Sequence, residues 1–139
     1  MYKLRQTTDP DELEEIKDLD AFAFEGVGWP GGDHTWWIAK DEQNKTVGYC
    51  GAVYRPALGY VYMSRAAVMA CAQGYGLQRR MIHARVRWAR TTGAKEVITY
   101  TLLKNYSSLR NLLHCGFRFY DPEKKYVGEH VHYYRLELK

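Results

Sequence analysis

The chain has 139 residues, 46% of them hydrophobic and 26% charged, which is ordinary for a globular protein and suits a single domain over residues 1–139. Its formal net charge of +4 suits an anionic ligand such as a phosphorylated cofactor and does not require a nucleic acid partner. No apolar run approaches the roughly 18 residues that cross a membrane, and the polar N-terminal stretch is unlike a secretory signal, so we expect a cytoplasmic protein.

One strand and one helix are predicted at the N-terminus. Residues 2–7 alternate as a strand does. Asp9 followed by Pro10 predicts a helix start, because Asp caps the first amides and Pro fits the first helical position. The helix should fade at residues 25–26. Its predicted buried face comprises Leu13, Ile16, Leu19 and either Phe22 or Ala23.

A loop and three strands are predicted next. Residues 26–34 hold four glycines and one proline, which excludes a regular element. One interpretation of Trp29 in this loop is that it closes the edge of the core, since a wholly exposed large aromatic side chain is costly. The predicted strands are residues 35–40, 46–54 and 60–68, and the first two of them form a hairpin.

The stretch from residue 65 to residue 90 reads as the end of a strand, a glycine turn and a basic amphipathic helix. Gly74 and Gly76 permit backbone angles closed to other residues and let a ligand approach the main chain. Amides at a helix start lack partners within the helix and carry partial positive charge, so this turn is a candidate phosphate site. The predicted apolar face of the helix is Leu77, Met81, Ala84 and Trp88. Among the arginines, Arg79 and Arg80 are candidates for phosphate contact, and Arg85, Arg87 and Arg90 are expected on a solvated face.

The C-terminal third is predicted to finish a mixed sheet. A strand at residues 96–103 should run parallel to the strand at 60–68, because a helical crossover joins them. The remaining elements are a helix at 105–114 ending at Gly116, a strand beginning in 117–120, a polar hairpin loop at 121–128 and a last strand at 131–138. The whole chain is thus predicted to be one mixed α/β domain with about seven strands and about four helices.

Two motifs stand in order, with one helix and one strand between them. Residues 68–78 read VMACAQGYGLQ, and residues 105–117 read NYSSLRNLLHCGF. Together they resemble the GNAT superfamily of N-acetyltransferases, whose motifs have the forms V-x-P-x-x-(R/Q)-G-x-G-(I/L)-(G/A) and N-x-x-(S/A)-I-x-L-Y-x-x-x-G-F. The sequence departs from these forms at Ala70, where Pro is usual, at Gln78, where a small residue is usual, and at Leu112, where many members have a Tyr that acts as general acid.

The resemblance implies acetyl-CoA as the co-substrate and a splayed central pair of strands, whose gap holds the pantetheine arm. It also implies that the pyrophosphate binds the loop amides, in agreement with the physical character of the turn. Asn105 would hold the arm from the other side of the gap, and Ser108 would approach the thiol end. The implied cofactor-binding residues are Val68, Met69, Ala70, Gln73, Gly74, Tyr75, Gly76, Leu77, Gln78, Arg79, Asn105 and Ser108. A dimer through the last strands is common in the family.

The implied reaction is direct transfer of an acetyl group to a primary amine of a small molecule or a protein. The amine must lose a proton and the leaving thiolate must be stabilised or protonated. Strand 60–68 has no acid, and Tyr100 stands where some peptide-acetylating members carry Glu. Tyr62 and Tyr100 are therefore candidate acids, since a Tyr with a pKa near 10 is a poor base at neutral pH; the alternative is that both only pack. In the family the first loop lies over the acceptor, so Trp29, Asp33 and His34 are expected near substrate, and His34, Asp33 or water is the candidate base.

Other interpretations stay open. A non-catalytic acyl-CoA-binding or regulatory module on the same fold would bind the same cofactor and release no thiol. A nucleic-acid-binding domain that uses the arginine-rich helix would bind in a salt-sensitive manner, although no known reading motif is present. We expect no metal, because His130 and His132 have no further ligands at suitable spacing and because Cys50, Cys71 and Cys115 have neither metal nor disulfide spacing.

Overall fold

Seven strands and three α-helices make up the chain in the computed structural model, which describes all 139 residues. The strands are β1 (Lys3–Thr7), β2 (Thr35–Lys40), β3 (Thr46–Arg55), β4 (Tyr60–Val68), β5 (Glu96–Leu102), β6 (Arg118–Phe119) and β7 (Val131–Glu137). The helices are α1 (Pro10–Ala23), α2 (Leu77–Thr92) and α3 (Tyr106–His114). The strands form one mixed sheet in the order β1-β2-β3-β4-β5-β7-β6.

The predicted elements are present, with one correction. No strand end differs from its predicted position by more than one residue. The expected fourth helix is absent, and only a 3-10 turn at Ala70–Ala72 accompanies the three α-helices. This turn lies in the glycine-containing connection, which is too short for a helix of its own.

The chain forms two compact units. The first comprises Met1–Val53 and Ser64–Met81, and the second comprises Tyr54–Met63 and Ile82–Lys139. In the first unit, β1 pairs antiparallel with β2, and β2 pairs antiparallel with β3 as the predicted hairpin, with a bulge between Ala39 and Lys40.

Helix α1 packs on the sheet of the first unit. Ile16 is wholly buried in a cluster with Trp36, Ile38 and Tyr49. The start of α1 is as predicted, because Pro10 occupies its first position and the side chain of Asp9 accepts a hydrogen bond from the Asp11 amide at 3.2 Å. Leu13 and Leu19 pack against the same cluster, as predicted.

The predicted buried face of α1 is wrong at its C-terminal end. Phe22 is 88% exposed, and Ala23 is exposed as well. Asp20 takes the buried position instead, with 1% exposure. The reason is helical spacing, since Asp20 follows Ile16 by four residues and shares its face, whereas Phe22 points elsewhere. An acidic residue is tolerated there because a phenol from Tyr49 meets it.

Strand β5 is central to the second unit. It runs parallel to β4, as predicted, with Tyr60–Tyr62 opposite Glu96–Ile98, and antiparallel to β7 along its whole length. Strand β6 pairs with β7 at the edge. The β4–β5 ladder covers three residue pairs, and the splay of this strand pair stays a prediction. The buried hydrophobic residues of this unit include Val61, Val97, Ile98, Phe117, Tyr133 and Tyr134.

One arginine of α2, Arg85, lies on the buried side of the helix and not on the solvated face predicted for it. Arg87 and Arg90 are exposed, as expected, but Arg85 is only 4% exposed. Arg85 is four residues from both Met81 and Ala89, and these two side chains are wholly buried. Residues at this spacing share a helix face, so the position of Arg85 follows from its neighbours rather than from its charge.

Candidate functional site

The connection between β4 and α2 requires glycine at two positions. The backbone φ angle is +85° at Gly74 and +80° at Gly76. Glycine enters this left-handed region without the steric penalty that other residues meet. No atom lies within 4 Å of the point where a Cβ would stand on either residue. The predicted glycine turn is therefore present, and the space beside its main chain is large enough for a ligand to approach closely.

Contacts within the first unit hold this loop in place. Leu77, the first residue of α2, is 2% exposed and anchors the end of the loop in the core. The Met69 amide donates to the Val47 carbonyl oxygen at 2.8 Å. The side-chain Nε2 of Gln73 donates to the Val68 carbonyl oxygen at 3.0 Å. Gln73 thus stabilises the loop itself through its side chain.

The start of α2 lies directly after the second glycine. The Arg80 amide donates to the Gly76 carbonyl oxygen at 3.1 Å, which is the first helical hydrogen bond at this end. Helix-start amides that precede this bond carry the partial positive charge of the helix dipole. A glycine turn with an open main chain, followed at once by a helix start, is a geometry that binds phosphate groups.

Tyr2, the residue that precedes β1, supports the tip of the loop from the side. The Arg80 Nη1 donates to the Tyr2 carbonyl oxygen at 3.0 Å, and the Tyr2 ring meets the Tyr75 ring edge-on with centroids 5.7 Å apart. A cavity of about 680 Å³ adjoins this contact, with Val47 and Cys71 in its lining. Of the two arginines predicted as candidates for phosphate contact, Arg80 is therefore already bonded to the main chain of Tyr2.

The other predicted cofactor residues of the first unit belong to the same strand-to-helix junction. Val68 and Met69 are half-buried at the end of β4, and Ala70 is exposed at the start of the 3-10 turn. On α2, Gln78 and Arg79 are half-buried. One continuous segment thus carries every cofactor contact predicted for this unit.

His34 lies in the loop before β2, and its side chain is 6% exposed. Its Nε2 is 2.8 Å from the hydroxyl oxygen of Ser64 on β4, and its Nδ1 is 3.4 Å from Oδ1 of Asp33. The imidazole also stacks on the Trp36 ring, with centroids 5.4 Å apart and planes 25° apart. The ring is therefore held at both nitrogens and on one face, beside a serine hydroxyl.

Trp29 packs at the edge of the core, as the first of the two interpretations of this residue predicts. Its ring stacks on Trp36 with centroids 4.6 Å apart and planes only 9° apart. The side chain is half-buried against the cluster that contains Ile16 and Tyr49. Trp29 thereby anchors the glycine-rich loop that carries His34.

Arg65 attaches the same loop to β4 and to α1. Its Nη2 donates to the Gly28 carbonyl oxygen at 2.5 Å. Its Nε lies 3.8 Å from Oδ1 of Asp20, and its guanidinium lies 4.9 Å from the centre of the Phe24 ring. The loop of residues 26–34 is thus joined to the rest of the first unit by the two β4 residues Ser64 and Arg65.

Tyr62 belongs to a group of tyrosines in the second unit. Its ring meets Tyr126 edge-on with centroids 5.9 Å apart. The Tyr126 phenol donates to the Thr99 carbonyl oxygen at 3.4 Å and lies 3.3 Å from the Tyr120 phenol oxygen. Burial and the contact with Tyr120 raise the pKa of Tyr126 far above its ordinary value of 10, so this phenol stays protonated at neutral pH.

The structure has no group of three or more His, Cys, Asp or Glu residues placed to hold a metal ion, and the His132 ring contacts Phe119, with centroids 5.3 Å apart. None of the helices has both the length and the apolar character that crossing a bilayer requires.

Comparison with known protein families shows which family the chain belongs to. The sequence description of the acetyltransferase (GNAT) family matches residues 1–117. The chain belongs to the GNAT family. Members of this family transfer acyl groups from acyl-CoA to amines. A search of curated protein sequences found no match.

Solved GNAT structures share the fold over the whole length. An acetyltransferase of the family from Staphylococcus aureus superposes with a TM-score of 0.78 at 12% identity, with 100% of both chains covered. A Klebsiella pneumoniae protein, provisionally described as an acyl-CoA N-acyltransferase, gives 0.79 at 17% identity, covering 100% of this chain and 99% of that one. The spermidine/spermine N-acetyltransferase SpeG of Vibrio cholerae gives 0.75 at 13% identity, covering 99% and 95%.

The second GNAT motif forms α3, the residue that caps its start and the turn after it. The side chain of Asn105 caps the helix, with Oδ1 accepting from the Ser108 amide at 3.2 Å. Leu112, at the position where many GNAT members have Tyr, is 5% exposed and belongs to the core. Tyr100 is half-buried on β5, opposite Tyr133 of β7.

Three residues of interest were not predicted from the sequence. Ser64 and Arg65 contact a loop that lies thirty or more positions earlier, so no local spacing indicates them. Tyr126 lies in a segment that composition predicts only as a polar hairpin loop. The one available signal is that Ser64 and Arg65 interrupt the apolar run of β4, which favours polar partners for both.

Proposed function

We propose that this GNAT protein is an N-acetyltransferase that moves the acetyl group of acetyl-CoA directly to a primary amine of a small molecule or a protein. The observation that supports this most is the connection at Gly74 and Gly76. Two left-handed glycines, open space where their side chains would stand, and the start of α2 immediately afterwards together suit the pyrophosphate of a CoA ester.

The roles proposed for the surrounding residues are those that the GNAT resemblance implies. The main chain of Val68 and Ala70, with Met69 between them, would pair with the pantetheine arm, and the amides from Gly74 onwards would bind the pyrophosphate. The side chain of Gln73 would keep the loop in shape through its bond to the Val68 carbonyl. On the α3 side, Asn105 and Ser108 would contact the arm. The candidate catalytic residues are Tyr62, Tyr100 and His34.

A second candidate function is a non-catalytic acyl-CoA-binding module. Leu112 favours it, because a buried leucine cannot protonate the thiolate that leaves during acyl transfer. The structure adds no support for a role in binding nucleic acid. Arg85 is buried and Arg80 is bonded to the Tyr2 carbonyl, so the basic face of α2 is smaller than its sequence suggests.

The binding step is tested by thermal unfolding with and without acetyl-CoA. A ligand that binds only the folded state raises the melting temperature, and at 100 times its Kd it adds about 2.7 kcal/mol of stability. Tyr75→Asp places a carboxylate between the two glycines at an exposed position, and Tyr75→Asn is its neutral, isosteric control. We expect the acetyl-CoA shift to vanish in Tyr75→Asp and to persist in Tyr75→Asn. Equal shifts in both variants would indicate that the pyrophosphate does not bind at this loop.

The catalytic step is tested by release of free thiol in the presence of an amine. Spermidine, nourseothricin and a lysine-containing peptide make a suitable first panel, since two neighbouring folds act on the first two compounds according to their names. Amine-dependent thiol release supports the transferase. A thermal shift without thiol release from any of the three would favour the binding module instead.

A further inference from the structure

We propose that Ser64 is a catalytic residue of the acetyl transfer, whose hydroxyl takes a proton from the acceptor ammonium while passing its own proton to Nε2 of His34. This inference rests on the proposed function. Asp33 acts as a positioning residue that favours the required tautomer of the imidazole.

The geometry that supports this role is a chain of three polar side chains. The Ser64 hydroxyl oxygen lies 2.8 Å from His34 Nε2, which is an ordinary length for a strong hydrogen bond. On the far side of the ring, Asp33 Oδ1 lies 3.4 Å from Nδ1. A carboxylate beside Nδ1 favours a proton on that nitrogen, which leaves Nε2 as the acceptor for the serine proton.

The surroundings keep the imidazole in this orientation. The ring is 6% exposed and stacks on Trp36, which in turn stacks on Trp29. A mere surface histidine would not be fixed on a face and at both nitrogens. Two charged groups of the neighbouring elements, Asp20 of α1 and Arg65 of β4, lie 3.8 Å apart and partly neutralise each other.

The position of Ser64 along β4 also suits the reaction. From Ser64 the strand runs four residues to Val68, about 13 Å at the usual rise per residue. The glycine turn that would hold the pyrophosphate follows. A long arm separates the pyrophosphate of an acyl-CoA from its thioester, so a group that deprotonates the attacking amine should lie well away from the turn, as Ser64 does.

The acceptor ammonium transfers one proton to Ser64 as the serine proton moves to His34, which becomes an imidazolium. The free amine then attacks the thioester carbonyl carbon, forming the C–N bond and breaking the C–S bond. The second proton of the attacking nitrogen goes to the departing thiolate, which gives the amide and free CoA. His34 returns its proton to solvent.

The kinetic test uses Ser64→Ala, Ser64→Thr and His34→Gln with the most reactive amine of the panel. We expect Ser64→Ala to lower kcat by about 100-fold or more, the usual range for loss of a general base, and Ser64→Thr to restore most of it. The wild-type rate should rise with pH as the His34 imidazole becomes neutral and able to accept the serine proton, and His34→Gln should lack that rise. All variants should keep the acetyl-CoA thermal shift.

A matched control distinguishes proton transfer by Ser64 from a role in which Ser64 only attaches the loop to β4. Arg65→Lys weakens the other link between β4 and the loop, the bond to the Gly28 carbonyl, and keeps the positive charge beside Asp20. If Ser64 only attaches the loop, then Arg65→Lys and Ser64→Ala should lower the rate alike and leave the pH rise in place. That result would overturn the proposal.

A measurement without any acceptor checks the tautomer directly. Long-range proton–nitrogen NMR spectra at pH 8 should show the His34 proton on Nδ1. A proton on Nε2 would contradict the proposal, because that nitrogen could not then accept from serine. If no amine releases thiol, the transferase proposal fails and the role of Ser64 fails with it. Thiol release that survives in Ser64→Ala within about twofold overturns only the role of Ser64.

Discussion

The phenol of Tyr49 donates a hydrogen bond of 2.6 Å to Oδ1 of Asp20, and each of these residues is only 1% exposed. Burial, and then the bond to Asp20, raise the pKa of Tyr49 far above its ordinary value of 10, so the phenol remains a donor across the physiological range. The Arg65 guanidinium, 3.8 Å away, supplies the opposite charge. A buried carboxylate is thereby stabilised at the point where α1, β3 and β4 meet.

Removing the Tyr49 hydroxyl should destabilise the protein. Tyr49→Phe keeps the ring and leaves Asp20 with an unsatisfied buried oxygen, which costs about 1–3 kcal/mol. Urea unfolding should therefore show a lower free energy of unfolding with an unchanged m-value. Tyr75→Phe is the control, because Tyr75 is 67% exposed and should change stability by less than about 0.5 kcal/mol. Equal stabilities for the two variants would show that Asp20 finds another donor.

Glu12 should give the protein a distinct loss of stability in acid. Its carboxylate, 5% exposed, accepts hydrogen bonds from Arg5 at 2.8 and 2.5 Å and from Thr7 at 2.5 Å, and Lys40 lies 3.0 Å away. Arg5 first, and then Thr7, lower the pKa of Glu12 from 4.5 to about 2. A depressed pKa means that the stabilisation is complete above pH 4.5 and is lost as the pH falls towards 2.

The measurement for Glu12 is the free energy of unfolding of Glu12→Gln and wild type between pH 7 and pH 2. We expect the variant to be less stable by about 2 kcal/mol at pH 7, as for hydrogen bonds to charged groups. The difference should shrink below pH 4.5 and nearly disappear at pH 2. Glu14→Gln, an exposed neighbour on the same helix, serves as control. A pH-independent difference would mean that Glu12 acts through packing rather than through its charge.

Hydrophobic periodicity and turn residues predict the elements of this fold well, because these are local properties of the chain. Strand β4 and helix α2 were predicted from an apolar run, two glycines and a four-residue spacing. Buried charges are less predictable. Arg85 is buried because it lies on the buried face of α2. The hydrogen-bond donor to the Asp20 side chain is Tyr49, which lies 29 positions further along the chain. The same limit applies to the candidate site. Its glycine turn is a local feature that the sequence predicts, whereas contacts between residues distant in the chain are not predicted.

The contact between His34 and Ser64 shows where local prediction ends. The two residues are 30 positions apart, and the loop that carries His34 has no periodicity. Only folding of the loop onto Trp36 brings them together. Functional side chains that meet through a loop cannot be paired from spacing, whereas a backbone site such as the turn at Gly74 can be.

Replacing Gly51 by alanine, which adds a single methyl group, should destabilise the protein. A Cβ built on this residue of β3 lies 2.6 Å from Cζ3 of Trp36, an indole fixed between Trp29 and Tyr49. Gly51→Ala forces the ring to move, and overpacking of this kind costs about 1–3 kcal/mol. Thermal unfolding should show a lower melting temperature. Gly28→Ala is the matched control, since nothing lies within 4 Å of its Cβ position. A stable Gly51→Ala protein would show that the Trp36 ring can shift at little cost.

Trp29 should determine the order of the loop that carries His34. Its ring stacks on Trp36, and removing a large half-buried aromatic side chain should cost about 2 kcal/mol, less than for a fully buried one. Trp29→Ala should therefore lower the free energy of unfolding and speed proteolytic cleavage within residues 26–34, while Trp29→Phe should recover part of both. Phe22→Ala is the control, because Phe22 is 88% exposed on α1 and its removal should change neither. If Trp29→Ala behaved like Phe22→Ala, the stacked ring would not be what anchors the loop, and the orientation of His34 would depend on Ser64 and Arg65 instead.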